Sequence, residues 1–243
     1  MIKHIAFWFL AFLSLPCWGA DLLSGRFQAI VVTTTDWDAV SGKAQLFERN
    51  DDQSPWVAVN DFLLVVVGKK GLAWGIGLHP RQNDPFAKVE GDGKSPAGLF
   101  SIGTAFGFAA ETPRLKIEYL PLSSSIEAVD DSNSAYYNRI VDNSKVPCDW
   151  ISSEHMSSID LYRKGFVINH NFPNPQPFKG SAIFFHLWRN DHTGTAGCTA
   201  TNEKSLSEIL SWLDQQKQPV LIQLPIKTYR ALQQDWRLPP LLY

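Results

Sequence analysis

The chain has 243 residues, 44% of them hydrophobic, and 22 lysines and arginines against 24 aspartates and glutamates, for a formal net charge of −2. That length and apolar content suffice for one domain with a full-sized core. The near-neutral balance, without a basic tail, arginine-rich stripe or basic amphipathic helix, argues against nucleic acid as a partner.

In chain order, Lys3 and His4 give a short basic start, residues 5–15 an uncharged apolar run, and Pro16, Cys17, Trp18, Gly19 and Ala20 follow. This pattern predicts a signal peptide over residues 1–20, cut after Ala20, and an exported domain over residues 21–243. An uncleaved N-terminal anchor is the alternative, although the apolar run is short for a membrane span. Pro16 sits where lipoprotein processing at Cys17 would need a small residue.

Residues 28–35, rich in Val, Ile and Thr, read as a first strand. Residues 44–49 and 56–59 resemble short strands separated by a turn, and residues 62–67 form an apolar strand ending at Gly68. The composition then turns loop-like through Gly71, Gly75, Gly77, Pro80, Asn83, Asp84 and Pro85. A strand or short turn begins at Leu99, and residues 115–120 and 126–129 are weaker strand candidates. Residues 130–162 are polar with frequent aromatics, which suits a structured excursion with short helices. Residues 165–169 and 181–187 read as buried strands. Thr201 or Asn202 caps a helix with Glu203 in its first turn and Leu206, Ile209, Leu210 and Leu213 at helical spacing. Pro219 closes that unit, residues 220–224 form a last strand, and Pro225 opens a short helix carrying Tyr229, Leu232 and Trp236. The expected fold is mainly β, a sandwich or mixed barrel, with one long helix after Cys198 and long loops. A doubly wound sheet would need more helices between strands. No repeat or interdomain linker appears, so residues 21–243 read as a single domain.

Cys198 lies in Thr193-Gly194-Thr195-Ala196-Gly197-Cys198-Thr199-Ala200, among small residues just before the predicted helix. Such a turn brings amide N–H groups close to the sulfur, and a helix start nearby would favour a thiolate. Buried free cysteine is the plainer reading of a glycine-cysteine pair. His186 follows the buried segment Ala182-Ile183-Phe184-Phe185 and has the acidity to take a thiol proton and return it. A core histidine bonded to a loop carbonyl is the alternative. His170, at another strand end, is a candidate substrate-binding residue or a packed histidine. His192 reads as a loop residue, and Glu154 beside His155 as a group that orients a histidine or holds an arginine. The remaining cysteine of the exported domain, Cys148, either stays outside the chemistry or pairs with Cys198 in a disulfide.

Residues 181–200 resemble the catalytic segment of the YkuD-type L,D-transpeptidases, and Gly91-Asp92-Gly93-Lys94-Ser95-Pro96-Ala97-Gly98-Leu99-Phe100 resembles their upstream loop and strand. The likeness runs from about Gln28 to Pro225. It is closest to a periplasmic branch that shares stretches like residues 130–139 and 149–156. The resemblance implies a β-rich catalytic domain acting on peptidoglycan in the periplasm, with no organic cofactor and no metal. In such enzymes a cysteine attacks the bond between meso-diaminopimelate and the terminal D-alanine of a tetrapeptide stem, and an amine resolves the thioester. That amine comes from another stem or a periplasmic lipoprotein. Carried over, Cys198 is the nucleophile, His186 the base, oriented by a backbone carbonyl, and Gly197 part of the oxyanion-binding turn. Thr195, Ala196, His170, Arg139, Asp149 and Glu154 are the candidate substrate-binding residues. The family pattern usually places an arginine after the cysteine, where this chain has Thr199 and Ala200, and Ala196 also departs from it. Arg139, Arg163 and Arg189 are candidates for the missing charge.

Three competing functions remain open on sequence. The same fold with water as acceptor would be an L,D-carboxypeptidase or other cell-wall amidase. A metal-dependent hydrolase would draw on His155, His170, His186 and Cys198, which lack a compact metal-binding spacing. A noncatalytic wall-binding protein would not need Cys198.

Overall fold

The computed structural model describes residues 21–82, 86–110 and 114–242. The expected signal peptide, and Asn83, Asp84 and Pro85 of the predicted loop, lie outside these residues. The elements in chain order are β1 (Gln28–Thr34), β2 (Ser41–Glu48), β3 (Val57–Ala58), β4 (Leu63–Val66), β5 (Leu72–Trp74), β6 (Ser95–Gly107) and β7 (Tyr119–Pro121). Then come β8 (Ile126–Val129), β9 (Arg139–Asp142), β10 (Ser153–His155), β11 (Lys164–Ile168), β12 (Phe184–Leu187), β13 (Thr199–Thr201), α1 (Glu203–Trp212), β14 (Val220–Pro225) and α2 (Ile226–Leu232).

The main sheet runs β1-β14-β6-β11-β12-β13-β4-β2, and β2 pairs back onto β1. Eight strands therefore close into a mixed barrel, which resolves the choice between sandwich and barrel and removes the free edges an open sheet would expose. Strands β1 and β14 run parallel, as do β12 and β13, while the other pairs of the ring are antiparallel. The core is filled by β-branched and aromatic side chains such as Ile30, Val32, Phe47, Phe100, Phe166, Phe185 and Ile222, joined by Leu206, Ile209, Leu210 and Leu213 of the α1 region and Tyr229 of α2. Asn202 caps α1, its Oδ1 accepting from the Ser205 N–H at 2.8 Å.

Two stretches depart from the sequence expectation. The loop-like stretch around residues 91–98 is strand from Ser95 onward, and β6 runs thirteen residues rather than starting at Leu99. Its glycines mark close approaches rather than turns: at Gly98 (φ +138°) a Cβ would sit 1.9 Å from His79 Nε2. Strand β12 starts at Phe184 instead of 181, because Gly180 (φ +98°) and Ala182 (φ +51°) leave the extended region.

The excursion expected over residues 130–162 is a three-stranded antiparallel sheet, β10-β8-β9, assembled with two 3-10 turns at Met156–Ser158 and Asp160–Tyr162. It covers the outer face of the barrel. A second apolar cluster forms there from Phe106, Ile126, Ala128, Met156, Tyr162, Phe184 and Cys198. Strand β12 serves both layers, since successive side chains point to opposite faces. Phe185 and Leu187 enter the barrel core, while Phe184 and His186 face the excursion, each stacked edge-on against Tyr162.

Candidate active site

Between β12 and the 3-10 turns of the excursion lies a cavity of about 830 Å³, lined among others by Cys198, His186, Tyr162, Glu154, Lys88 and Gly197. Cys198 immediately precedes β13, which runs parallel to β12, so its thiol lies beside the start of β12. The Phe184 N–H donates to Sγ at 3.3 Å, and the thiol donates to the Ala182 carbonyl at 3.4 Å. Ala182 holds the left-handed conformation that turns this carbonyl inward, with its N–H tied to Asn138 Oδ1 at 3.1 Å. A non-glycine residue held there stores local strain of about 1 kcal/mol or more. The Cys198 carbonyl accepts from Ser95 Oγ at 2.7 Å and Thr195 Oγ1 at 2.5 Å. The backbone at Cys198 is thus clamped from β6 and from its own turn.

His186 Nδ1 lies 2.7 Å from the Leu187 carbonyl. A carbonyl only accepts, so Nδ1 carries the proton and Nε2 keeps its lone pair. No described residue hydrogen-bonds Nε2. The Tyr162 ring, 5.1 Å from the imidazole centroid, fixes its plane. The Tyr162 hydroxyl donates to Glu154 Oε2 at 2.6 Å and interacts with the Cys198 sulfur.

Burial sets the charges. It pushes the Cys198 thiol up to about 12, with the Glu154 carboxylate adding to the rise, while the Phe184 N–H, Lys88 and Tyr162 oppose it. Burial also lowers His186 to about 4 and raises Glu154 above the usual carboxylate range. Burial thus favours the neutral thiol at Cys198 and the neutral imidazole at His186. This corrects the expectation that a helix start would favour a thiolate: β13 intervenes between Cys198 and α1, and desolvation dominates.

The other sequence candidates divide by location. Thr195, Ala196, Gly197 and Glu154 line the cavity with Cys198. The Gly197 N–H donates to Thr195 Oγ1 at 3.1 Å, so in this state it is already committed. His170 lies elsewhere. Its Nδ1 accepts from the Ile76 N–H at 3.2 Å and its Nε2 donates to the Lys179 carbonyl at 2.8 Å, leaving no free nitrogen. Arg139 lines a second cavity of about 810 Å³ that shares only Ala182 and Ile183 with the first. Asp149 is exposed and accepts from Ser134 Oγ and the Ala135 N–H, closing its own loop. Arg163 pairs with Asp160 and Glu203, and Arg189 is exposed at the cavity rim. Cys148 is an exposed free thiol, and Cys198 is free as well. His155 pairs with Glu127, and among the described residues no cluster of three His, Cys, Asp or Glu could hold a metal. Sequence reasoning missed Tyr162 and Lys88 as cavity residues, because neither sits in a motif and both arrive through tertiary packing.

A family model for the L,D-transpeptidase catalytic domain, YkuD, matches residues 38–222. No curated protein and no solved structure gives a match.

Proposed function

Because the chain belongs to the YkuD family of L,D-transpeptidase catalytic domains, cysteine enzymes of peptidoglycan, we propose that it is a periplasmic L,D-transpeptidase with Cys198 as nucleophile and His186 as base. The observation that carries this reading is a thiol and an imidazole lining one cavity of about 830 Å³, the imidazole held through Nδ1 alone. His186 Nε2 takes the Cys198 proton, and the thiolate attacks the carbonyl of the diaminopimelate–D-alanine bond. The imidazolium then protonates the departing D-alanine nitrogen, leaving a thioester on Sγ. An acceptor amine, from a second stem or a lipoprotein lysine, attacks that thioester and gives its proton to His186, which passes it to the departing Sγ and so restores the thiol and the neutral imidazole.

A resting thiol near 12 and an imidazole near 4 describe general-base catalysis rather than a preformed ion pair. Proton transfer is then coupled to attack, when the substrate carbonyl is in place to receive the charge. Glu154, Asp130 and Glu90 on the cavity wall suit the ammonium groups of the stem.

The test is incubation of the purified, reduced chain with a diaminopimelate-containing tetrapeptide, followed by mass spectrometry of products and intact protein. An acyl adduct and D-alanine release that vanish in Cys198→Ala are expected. A crosslinked dimer assigns transpeptidation, and tripeptide assigns L,D-carboxypeptidase action. Turnover surviving in Cys198→Ala would overturn the reading.

A further inference from the structure

Lys88 is a buried cation that the chemistry described so far does not use. Its side chain is 3% exposed, yet it lines the cavity of Cys198. Its ammonium donates to Asp92 Oδ1 at 2.6 Å and to the Val89 carbonyl at 3.3 Å, which engages two of its three N–H bonds. The group lies 3.7 Å from the point where a Cβ on Gly197 would stand. On its other flank Gly180, at φ +98°, leaves the space that the Lys88 stem fills: a Cβ there would sit 2.9 Å from Cε. Two glycines thus bracket one ammonium beside the nucleophile turn.

A loop staple is the simpler account of a Lys–Asp pair four residues apart. The loop, however, is already held without the lysine, since Asp92 accepts from the Val89 N–H at 3.1 Å and the Lys94 N–H at 2.9 Å. Burying an ammonium is costly even when paired, and an apolar side chain would fill the same volume more cheaply. The position also answers a deficit in the turn, where the Gly197 N–H is committed to Thr195 and the arginine candidates lie at the rim, in the second cavity or in surface ion pairs.

We propose that Lys88 is the cation of this active site: its ammonium stabilises the negative charge that Cys198 acquires when His186 takes its proton. The inference rests on Cys198 being the nucleophile, but not on the identity of the substrate. Lys88 lies near enough to favour the charged form of Cys198, against Glu154, which opposes it.

Carbamidomethylation by iodoacetamide, followed at fixed pH on the Cys198-containing peptide by mass spectrometry, reads thiolate formation without any cell-wall substrate. Lys88→Met should slow it about tenfold, the equivalent of one pH unit in thiol acidity. Lys88→Arg should stay within about threefold of wild type, because the charge is kept. Asp92→Asn is the discriminating variant. It breaks the ion pair but keeps the cation, so the rate should hold or rise. A Lys88→Met rate equal to wild type overturns the proposal. So does a fall in Asp92→Asn that matches Lys88→Met, which would mark the pair as a staple. If Lys88→Met does not fold, Lys88→Gln, which also removes the charge, takes its place and is read by the same criteria. Because the readout is alkylation, a chain that fails on the tetrapeptide can still pass or fail here.

Discussion

His170, just past β11, and His186, on the neighbouring β12, look alike by every coarse measure. Both are buried, both follow apolar strand residues, and both are pushed well below the ordinary histidine value, to about 3 and about 4. They differ in what their nitrogens do. His170 has both engaged, by the Ile76 N–H and the Lys179 carbonyl, and so ties three chain segments together. His186 has one engaged by its neighbour's carbonyl and one free toward the cavity of Cys198. Burial and residue type do not tell the two histidines apart, whereas the inventory of donors and acceptors does, and it is His186 that keeps the nitrogen a base would need.

The sharpest way to break that comparison is to replace each ring with glutamine. His186→Gln should lower kcat about a thousandfold, within the range general bases supply, with folding intact. His170→Gln should leave kcat within about threefold but cost about 2–3 kcal/mol of stability, because the Ile76 N–H and Lys179 carbonyl are left without a well-placed partner. Kinetics on the tetrapeptide and denaturant unfolding measure the two effects. Loss of turnover in a stable His170→Gln chain would place His170 in the chemistry and collapse the distinction.

The same pair predicts a pH dependence of stability. Burial lowers both folded-state values below 6.5, so between 6.5 and those values the unfolded chain holds more protons than the folded one. Stability therefore rises with pH across that window and is lost on acidification. Removing one such group should reduce the slope by about 1.4 kcal/mol per pH unit. For His186→Gln the window runs from about 6.5 down to about 4, as read by unfolding curves at stepped pH. A slope identical to wild type would mean that the folded His186 is not held neutral.

Much of this was legible in the sequence and some was not, for reasons that differ by residue. Cys198, His186 and the helix after them could be read because a reactive side chain among small residues, and leucines at helical spacing, are local signals. Strand β6 could be read only from Leu99 onward, because Pro96 and Gly98 look like loop residues until their neighbours are known: a Cβ at Gly98 would sit 1.9 Å from His79 Nε2. His170 reads equally as a substrate-binding or a packed histidine, because its place at a strand end is all the sequence offers and the partners of its ring, Ile76 and Lys179, are not evident from it. Lys88 and Tyr162 reach the site from separate parts of the chain. Composition around them carries no trace of that convergence.

Glu154 offers the smallest and most discriminating test of the site's electrostatics. Its half-buried carboxyl sits in the cavity wall, holds the Tyr162 hydroxyl at 2.6 Å and opposes ionisation of Cys198. Its own acidity is weakened, first by burial and then by Asp130 and Glu90. Glu154→Gln keeps an oxygen to accept from Tyr162 and removes only the charge. Alkylation of Cys198 should therefore speed up about threefold where Glu154 is ionised, opposite in sign to Lys88→Met. Below the pH at which Glu154 takes up a proton, wild type and variant should converge, because both then present a neutral group. A slower thiol in Glu154→Gln at every pH would overturn this account of the charge, since removing an opposing charge cannot give that sign.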